Sequence, residues 1–199
     1  MKFTEIKRHL SKFRVGIAGA GGLGSNCAAA LARSGVGTLV IADFDIIEEI
    51  NLNRQFYFCD QVGMLKTDAL KENISKIDRN INIIAHPVEL TRENIPLIFS
   101  GCDVMVEAFD IAVMKEMLIE TVQLSLPGIP LVVGSGMAGW GNSEAIKCRK
   151  IDEFLWVCGD ESTEVSEDIP PMAPRVGIVS HMQANVVVEI LMKKLKISF

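Results

Sequence analysis

Three glycines spaced Gly19-x-Gly21-x-x-Gly24, a carboxylate at Asp43 and a polar run from Asn51 to Gln55 are where this 199-residue sequence points to chemistry. Glycines at that spacing let a backbone turn tightly and approach a phosphate, while the N–H groups opening the next helix face the anion. Gly22 belongs to the same stretch, Gly19-Ala-Gly-Gly-Leu-Gly24. Asp43 lies 19 residues past Gly24, where a carboxylate hydrogen-bonds ribose hydroxyls. By themselves these residues specify an adenine nucleotide, with NAD favoured. A tight turn without ligand is the competing reading.

The following segment alters the balance. Asp43-Phe-Asp45 leads to Asn51-Leu-Asn-Arg54-Gln55, and Lys66 comes shortly after. Hydride transfer has no use for an arginine and a lysine here, whereas splitting ATP between its α- and β-phosphates does. Arginine offers a rigid fork to phosphate oxygens and lysine a mobile point charge. Both offset charge developing on departing pyrophosphate. Ordinary surface cations are the alternative for each taken singly. Asp110 closes the run Val-Glu-Ala-Phe-Asp, at the tip of an expected strand that faces the nucleotide crevice. It suits a magnesium ligand, and equally an N-cap for the helix that follows. Glu107 should point the other way along that strand.

The elements that would position these groups follow from apolar periodicity. A short amphipathic helix is expected over 2–12, a buried strand over 14–19, and an alanine-rich helix from Ser25 to Ser34, closed by Gly35. A strand over 38–42 ends at Asp43. Helices near 66–77, 92–99 and 112–125 alternate with strands near 81–86, 103–108 and 130–133. This is a Rossmann-like α/β fold, doubly wound around a mainly parallel sheet. The style changes after Gly134. Residues 143–149 and 154–157 read as a short antiparallel extension, 159–174 as a mobile acidic loop, and 176–195 as a closing helix. The expected organisation is one ATP-binding domain over 1–199, with a nucleotide-binding core over 1–134 and the extension, loop and helix over 135–199.

The set Gly-Ala-Gly-Gly-Leu-Gly, Asp-Phe-Asp, Asn-Leu-Asn-Arg-Gln, Lys66 and Phe-Asp110 resembles the ThiF/MoeB family, which includes the ubiquitin-activating enzymes. Met172-Ala-Pro-Arg-Val-Gly177, continuing to Gln183-Ala184, resembles the family's last helix. The short length and Cys158-Gly-Asp look most like the compact ThiF-type adenylyltransferases of thiamine biosynthesis. The resemblance implies that the glycine loop, Asn51, Arg54 and Lys66 hold ATP phosphates, that Asp43 binds ribose beside Asp45, and that Gln55 joins the polar wall. Asp110 is implied as magnesium ligand and central catalytic carboxylate. The implied reaction adenylates the C-terminal Gly-Gly carboxylate of a small sulfur-carrier protein, and a homodimer is implied with it. A molybdopterin-synthase carrier or a tRNA substrate are variants within the family. Outside it, the glycine fingerprint also fits an NAD-dependent oxidoreductase or a nucleotide-sensing module.

Three departures from the family pattern matter. The five cysteines include no CxxC pair, so no structural zinc is expected. The family's upstream arginine, which reaches the partner subunit's site, has no counterpart at that spacing; Arg8 or Lys7 are the candidates to substitute for it. Cys158 is the best-placed thiol for a covalent link to the carrier, against the plainer reading of a core thiol at a strand end. Trp140 and Trp156 read as packing residues. A net charge of -5 gives no reason to expect nucleic acid. No signal peptide or membrane-spanning run stands out, so a cytoplasmic protein is expected.

Overall fold

The computed structural model describes residues 1–194. Its order is α1 (Phe3–Leu10), β1 (Arg14–Ala18), α2 (Gly22–Ser34), β2 (Thr38–Ala42), α3 (Lys66–Ser75), β3 (Asn82–His86), α4 (Asn94–Phe99), β4 (Val104–Glu107), α5 (Ala112–Ser125), β5 (Leu131–Gly134), β6 (Lys147–Lys150), β7 (Leu155–Gly159) and α6 (Ala173–Lys193). The strands form one sheet in the order β3-β2-β1-β4-β5-β7-β6. All neighbours run parallel except β6 and β7.

The strands are apolar on both sides because helices cover both faces. Leu10 of α1, Leu31 of α2, Leu70 of α3 and Val187 of α6 share one core with Val15, Ile17, Leu39, Ile41 and Val106 of the sheet. Ile95 and Phe99 of α4 and Leu118 and Val122 of α5 cover the other face, against Val40, Met105 and Val133. The sheet reverses direction at β1, whose neighbours are β2 and β4. The C-terminal tips of β1 and β4 therefore flank the crevice where open α/β sheets bind ligands.

Element boundaries differ from the sequence reading at informative places. α2 starts at Gly22, inside the glycine stretch. α6 starts at Ala173 because Pro174 in its first turn needs no N–H partner there. Its expected end at Leu195 lies outside the described residues. Residues 143–145 form a 3₁₀ turn, so β6 begins only at Lys147, and β7 pairs parallel with β5 as well as antiparallel with β6. Trp156 is half-buried, but Trp140 is 71% exposed rather than packed. It sits between Gly139 and Gly141, whose φ values of 74° and 69° turn the chain outward.

The expected loop is tied down at several points. Asp160 accepts hydrogen bonds from the Ser162 and Thr163 N–H groups at 2.9 and 2.8 Å and from Thr163 Oγ1 at 2.8 Å. It also pairs with Arg175 of α6, both side chains being buried. Arg175 Nη1 donates to the Gly141 carbonyl at 2.5 Å, and Gly139 N–H to the Pro170 carbonyl at 2.9 Å.

Candidate functional site

The glycines divide by what they must avoid. Gly19 has φ +99°, and a Cβ there would stand 2.8 Å from the Ala108 carbonyl oxygen. A Cβ at Gly24 would fall 1.8 Å from the Gly19 oxygen. Both are demanded by the tight turn. A Cβ at Gly22 would stand 3.0 Å from Val176 Cγ1 of α6. Gly21 differs: a Cβ there would meet nothing nearer than Gln55 Nε2 at 3.8 Å. That open space beside an N-cap without a side-chain bond is the kind of cradle a phosphate fills.

Two groups of side chains meet at this loop. In the first, Asp43 Oδ2 accepts the Ala20 N–H at 2.6 Å and Oδ1 the Asp45 N–H at 2.8 Å. Burial raises the Asp43 carboxyl, and the two N–H groups and Lys66 oppose the rise. Lys66 is buried and donates to Asp45 Oδ2 at 2.6 Å. Its ammonium keeps two further protons for other acceptors. The Tyr57 hydroxyl lies 2.7 Å from the Ala20 carbonyl and 3.2 Å from that of Lys66. Ala20 is thus held by Asp43 at its nitrogen and by Tyr57 at its oxygen, and Tyr57 ties the loop to the start of α3. Burial, then Asp43 and Asp45, push the Tyr57 hydroxyl well above its ordinary pKa, so it stays a donor.

The second group comes from the 3₁₀ turn Glu49–Asn53 and the residues after it. Asn51 is buried and its Oδ1 accepts the Glu48 N–H at 3.1 Å, shaping the turn. Asn26 Nδ2 of α2 donates to the carbonyls of Gly22 at 2.7 Å and Arg54 at 2.9 Å. Ser25 Oγ donates to the Gly21 carbonyl at 2.6 Å and accepts the Phe56 N–H at 3.0 Å. These bonds stitch residues 54–56 onto the first turn of α2. Arg54 Cγ consequently lies 3.5 Å from where a Cβ of Gly22 would be, and its Nη1 donates to Asn53 Oδ1 at 2.8 Å. Burial lowers the Arg54 pKa, and the negative charge of Asp110 opposes that. Gln55 is buried beside Gly21, and its Oε1 has no partner among the described residues.

Asp110 is exposed at the end of the turn after β4. The N-cap of α5 is Ile111, without a side-chain bond, so Asp110 does not cap that helix. No group of three or more His, Cys, Asp or Glu side chains able to hold a metal occurs among the described residues. One carboxylate beside a phosphate cradle fits magnesium, which takes one or two carboxylates together with substrate phosphates. It does not fit an all-protein metal cage.

The site residues read from the sequence therefore converge on the tips of β1, β2 and β4. Asn51 stands apart in role, because its side chain shapes backbone. Tyr57, Ser25 and Asn26 were missed. Two other expectations are resolved. Cys158 is fully buried in the core opposite Cys148 of β6, and burial pushes its thiol far up, so the core-thiol reading holds. Lys7 pairs with Asp78 at 2.5 Å, while Arg8 is exposed.

The ThiF family profile matches residues 3–198. Adenylyltransferase and sulfurtransferase UBA4 of Saccharomyces cerevisiae (strain YJM789) is 36% identical over 143 residues, 71% of this chain and 32% of that protein. Adenylyltransferase and sulfurtransferase MOCS3 of Caenorhabditis briggsae is 33% identical over 194 residues, 94% of this chain and 48% of that protein. The chain thus spans about a third to a half of these relatives. Among solved structures, E. coli tRNA N6-threonylcarbamoyladenosine dehydratase TcdA in complex with ATP aligns with a TM-score of 0.86 at 20% identity, covering 96% of this chain and 90% of that one. E. coli MccB with ATP gives 0.69 at 23%, covering 96% and 59%. At such identity the likeness is one of fold. No helix among the described residues is long and apolar enough to cross a membrane. With that profile spanning nearly its whole length, the chain belongs to the ThiF family.

Proposed function

We propose that this protein is an ATP-dependent adenylyltransferase acting on the C-terminal carboxylate of a small ubiquitin-like sulfur carrier. The observation that supports it most is the meeting of the open Gly21 cradle, Arg54 and Asp110 at the β1/β4 crevice. A dinucleotide site would use the glycine loop and Asp43, but would leave Arg54 and Lys66 without a role. UBA4 and MOCS3, the curated relatives, are both named adenylyltransferases.

In this reading the loop N–H groups, Arg54 and Lys66 bind the phosphates, and Asp43 the ribose. Asp110 would hold magnesium, which would supply charge neutralisation at the phosphates. The carrier's carboxylate needs no base, since an α-carboxyl has a pKa of about 3.3–3.7. It attacks the α-phosphorus, the bond from that phosphorus to the bridging oxygen breaks, and pyrophosphate leaves with the electron pair. Alignment and charge stabilisation supply the rate.

The carrier we assign is ThiS-like, in thiamine biosynthesis. Its support is the resemblance of Cys158-Gly-Asp to the compact ThiF-type proteins of thiamine biosynthesis. The assembly we assign is a homodimer. Phe44, Ile46, Ile50, Phe58 and Val62, all strongly exposed in one connecting segment, supply apolar surface for it.

The test is magnesium-dependent ATP–pyrophosphate exchange with a ThiS-type carrier ending in Gly-Gly. Carrier-dependent exchange that Asp110→Asn abolishes is the expected result. Tight NAD binding with no exchange for ThiS-type, molybdopterin-type or tRNA substrates would replace this reading with an oxidoreductase or nucleotide sensor.

A further inference from the structure

Two carboxylates three residues apart stand at the tip of β4 in opposite states. Asp110 is exposed, whereas Glu107 is fully buried on the α5 side of the sheet. Glu107 Oε1 accepts the Phe109 N–H at 2.6 Å and Lys115 Nζ at 2.9 Å. Its Oε2 accepts Lys115 Nζ at 2.9 Å and the Gly134 N–H at 3.3 Å. Lys115 spends its third proton on the Gly134 carbonyl at 2.9 Å. On the other face, Gln183 Nε2 of α6 donates to the Glu107 carbonyl at 2.8 Å and the Val132 carbonyl at 3.2 Å. The tip of β4 is clamped from both sides, and Phe109, held by Glu107, immediately precedes Asp110.

Stability does not account for a buried ion pair at this place. Desolvation offsets most of its attraction, and apolar replacements of similar volume are often neutral or stabilising. Its geometry does account for it. The pair joins the 108–110 turn, the first turns of α5 and the tip of β5. The same turn abuts the glycine loop, since a Cβ on Gly19 would stand 2.8 Å from the Ala108 oxygen and 3.4 Å from Phe109 Cδ1. A fixed 108–110 turn fixes where the Asp110 carboxylate sits relative to the phosphate cradle.

We propose that Glu107 and Lys115 are positioning residues for Asp110, holding its carboxylate in register with the glycine loop. The proposal rests on the reading of Asp110 as the magnesium carboxylate. It predicts a separation of effects: the pair matters for the magnesium-dependent part of ATP binding and not for contacts the glycine loop makes alone.

The experiment measures ATP affinity of the full chain by calorimetry, with magnesium and with EDTA, so that no carrier is needed. Lys115→Met alone leaves a buried carboxylate unpaired and is open to misfolding, so Glu107→Leu/Lys115→Met serves as the main variant, with a thermal melt beside it. The expected result is a melt near that of the wild type, unchanged affinity in EDTA, and a magnesium enhancement smaller by about 10-fold to 100-fold, the scale for losing a group that orients a metal ligand. Full enhancement in the double variant while Asp110→Asn loses it would overturn the proposal and leave Asp110 in place. A double variant that weakens binding equally with magnesium and EDTA would also overturn it, as a merely structural effect. Full enhancement in Asp110→Asn itself would remove the Asp110 reading, and the positioning proposal with it.

Discussion

The glycine loop and the stretch between β7 and α6 are both irregular backbone beside the sheet, yet different forces hold them. The loop is fixed by many hydrogen bonds to its own backbone, from Asp43, Tyr57, Ser25 and Asn26. The later stretch has backbone ties such as Gly139 to Pro170, but its buried anchor is the ion pair of Asp160 with Arg175, which also reaches Gly141. Restraint spread over many bonds keeps a phosphate cradle rigid when one of them is lost. Restraint centred on one buried ion pair makes a segment sensitive to the loss of a single charge.

Substitutions test this contrast, beginning with the most damaging. Gly24→Ala places a methyl group on the Gly19 carbonyl, so a loss of about 4 kcal/mol or more in urea unfolding is expected. A stable Gly24→Ala protein would mean that the turn gives way more readily than its geometry allows. Asp160→Ala leaves Arg175 buried without a counter-charge, at a cost of about 3 kcal/mol, with ATP affinity kept within about twofold. Collapse of ATP affinity in that variant would show that the two regions are not independent.

The same ion pair sets a pH dependence. Burial alone would raise the Asp160 carboxyl, but bonds from Thr163 and Ser162 outweigh it and hold the group below its ordinary value. The stabilisation is therefore present above about pH 4, where an unfolded aspartate ionises, and is lost as pH falls through the lower folded value. Melting temperature measured from pH 7 to pH 2 should fall in that acid window for the wild type and less steeply for Asp160→Ala.

Smaller effects are expected around the cradle. Tyr57→Phe removes one hydroxyl between buried carbonyls and should cost about 1 kcal/mol, with a higher KM for ATP in the exchange assay and little change in kcat. Gly21→Ala should leave stability within about 0.5 kcal/mol and still weaken ATP binding, because its methyl group occupies the open cradle. Unchanged ATP affinity would place the phosphates elsewhere.

Legibility in the sequence follows the same division. The parallel core strands announce themselves as apolar runs, and Gly19, Gly21, Gly24 and Asp43 by spacing, because each of those requirements is local. Arg54 and Lys66 were legible as charges without a use in hydride chemistry. Tyr57 was not, since a tyrosine inside Phe56-Tyr-Phe58 reads as packing and its hydroxyl bonds to backbone carbonyls, which leave no trace in a partner's identity. Glu107 and Lys115 lie in different elements, β4 and α5, joined by a turn, so the period of neither one relates them. Asp160 and Arg175 meet only when α6 is docked. The sequence reading started β6 too early: Ser143-Glu-Ala145 forms a 3₁₀ turn, and strand pairing begins only at Lys147.

β6 forms one margin of the sheet, and every residue of Lys147-Cys-Arg-Lys150 is exposed. Unpaired strand edges invite other strands to add to them, the first step toward amyloid-like stacking. Three cations in four residues make that margin hostile to a second copy of itself, since joining two such edges would bring like charges together. The rim of the sheet thereby guards the solubility of a chain whose interior strands are among its most apolar segments.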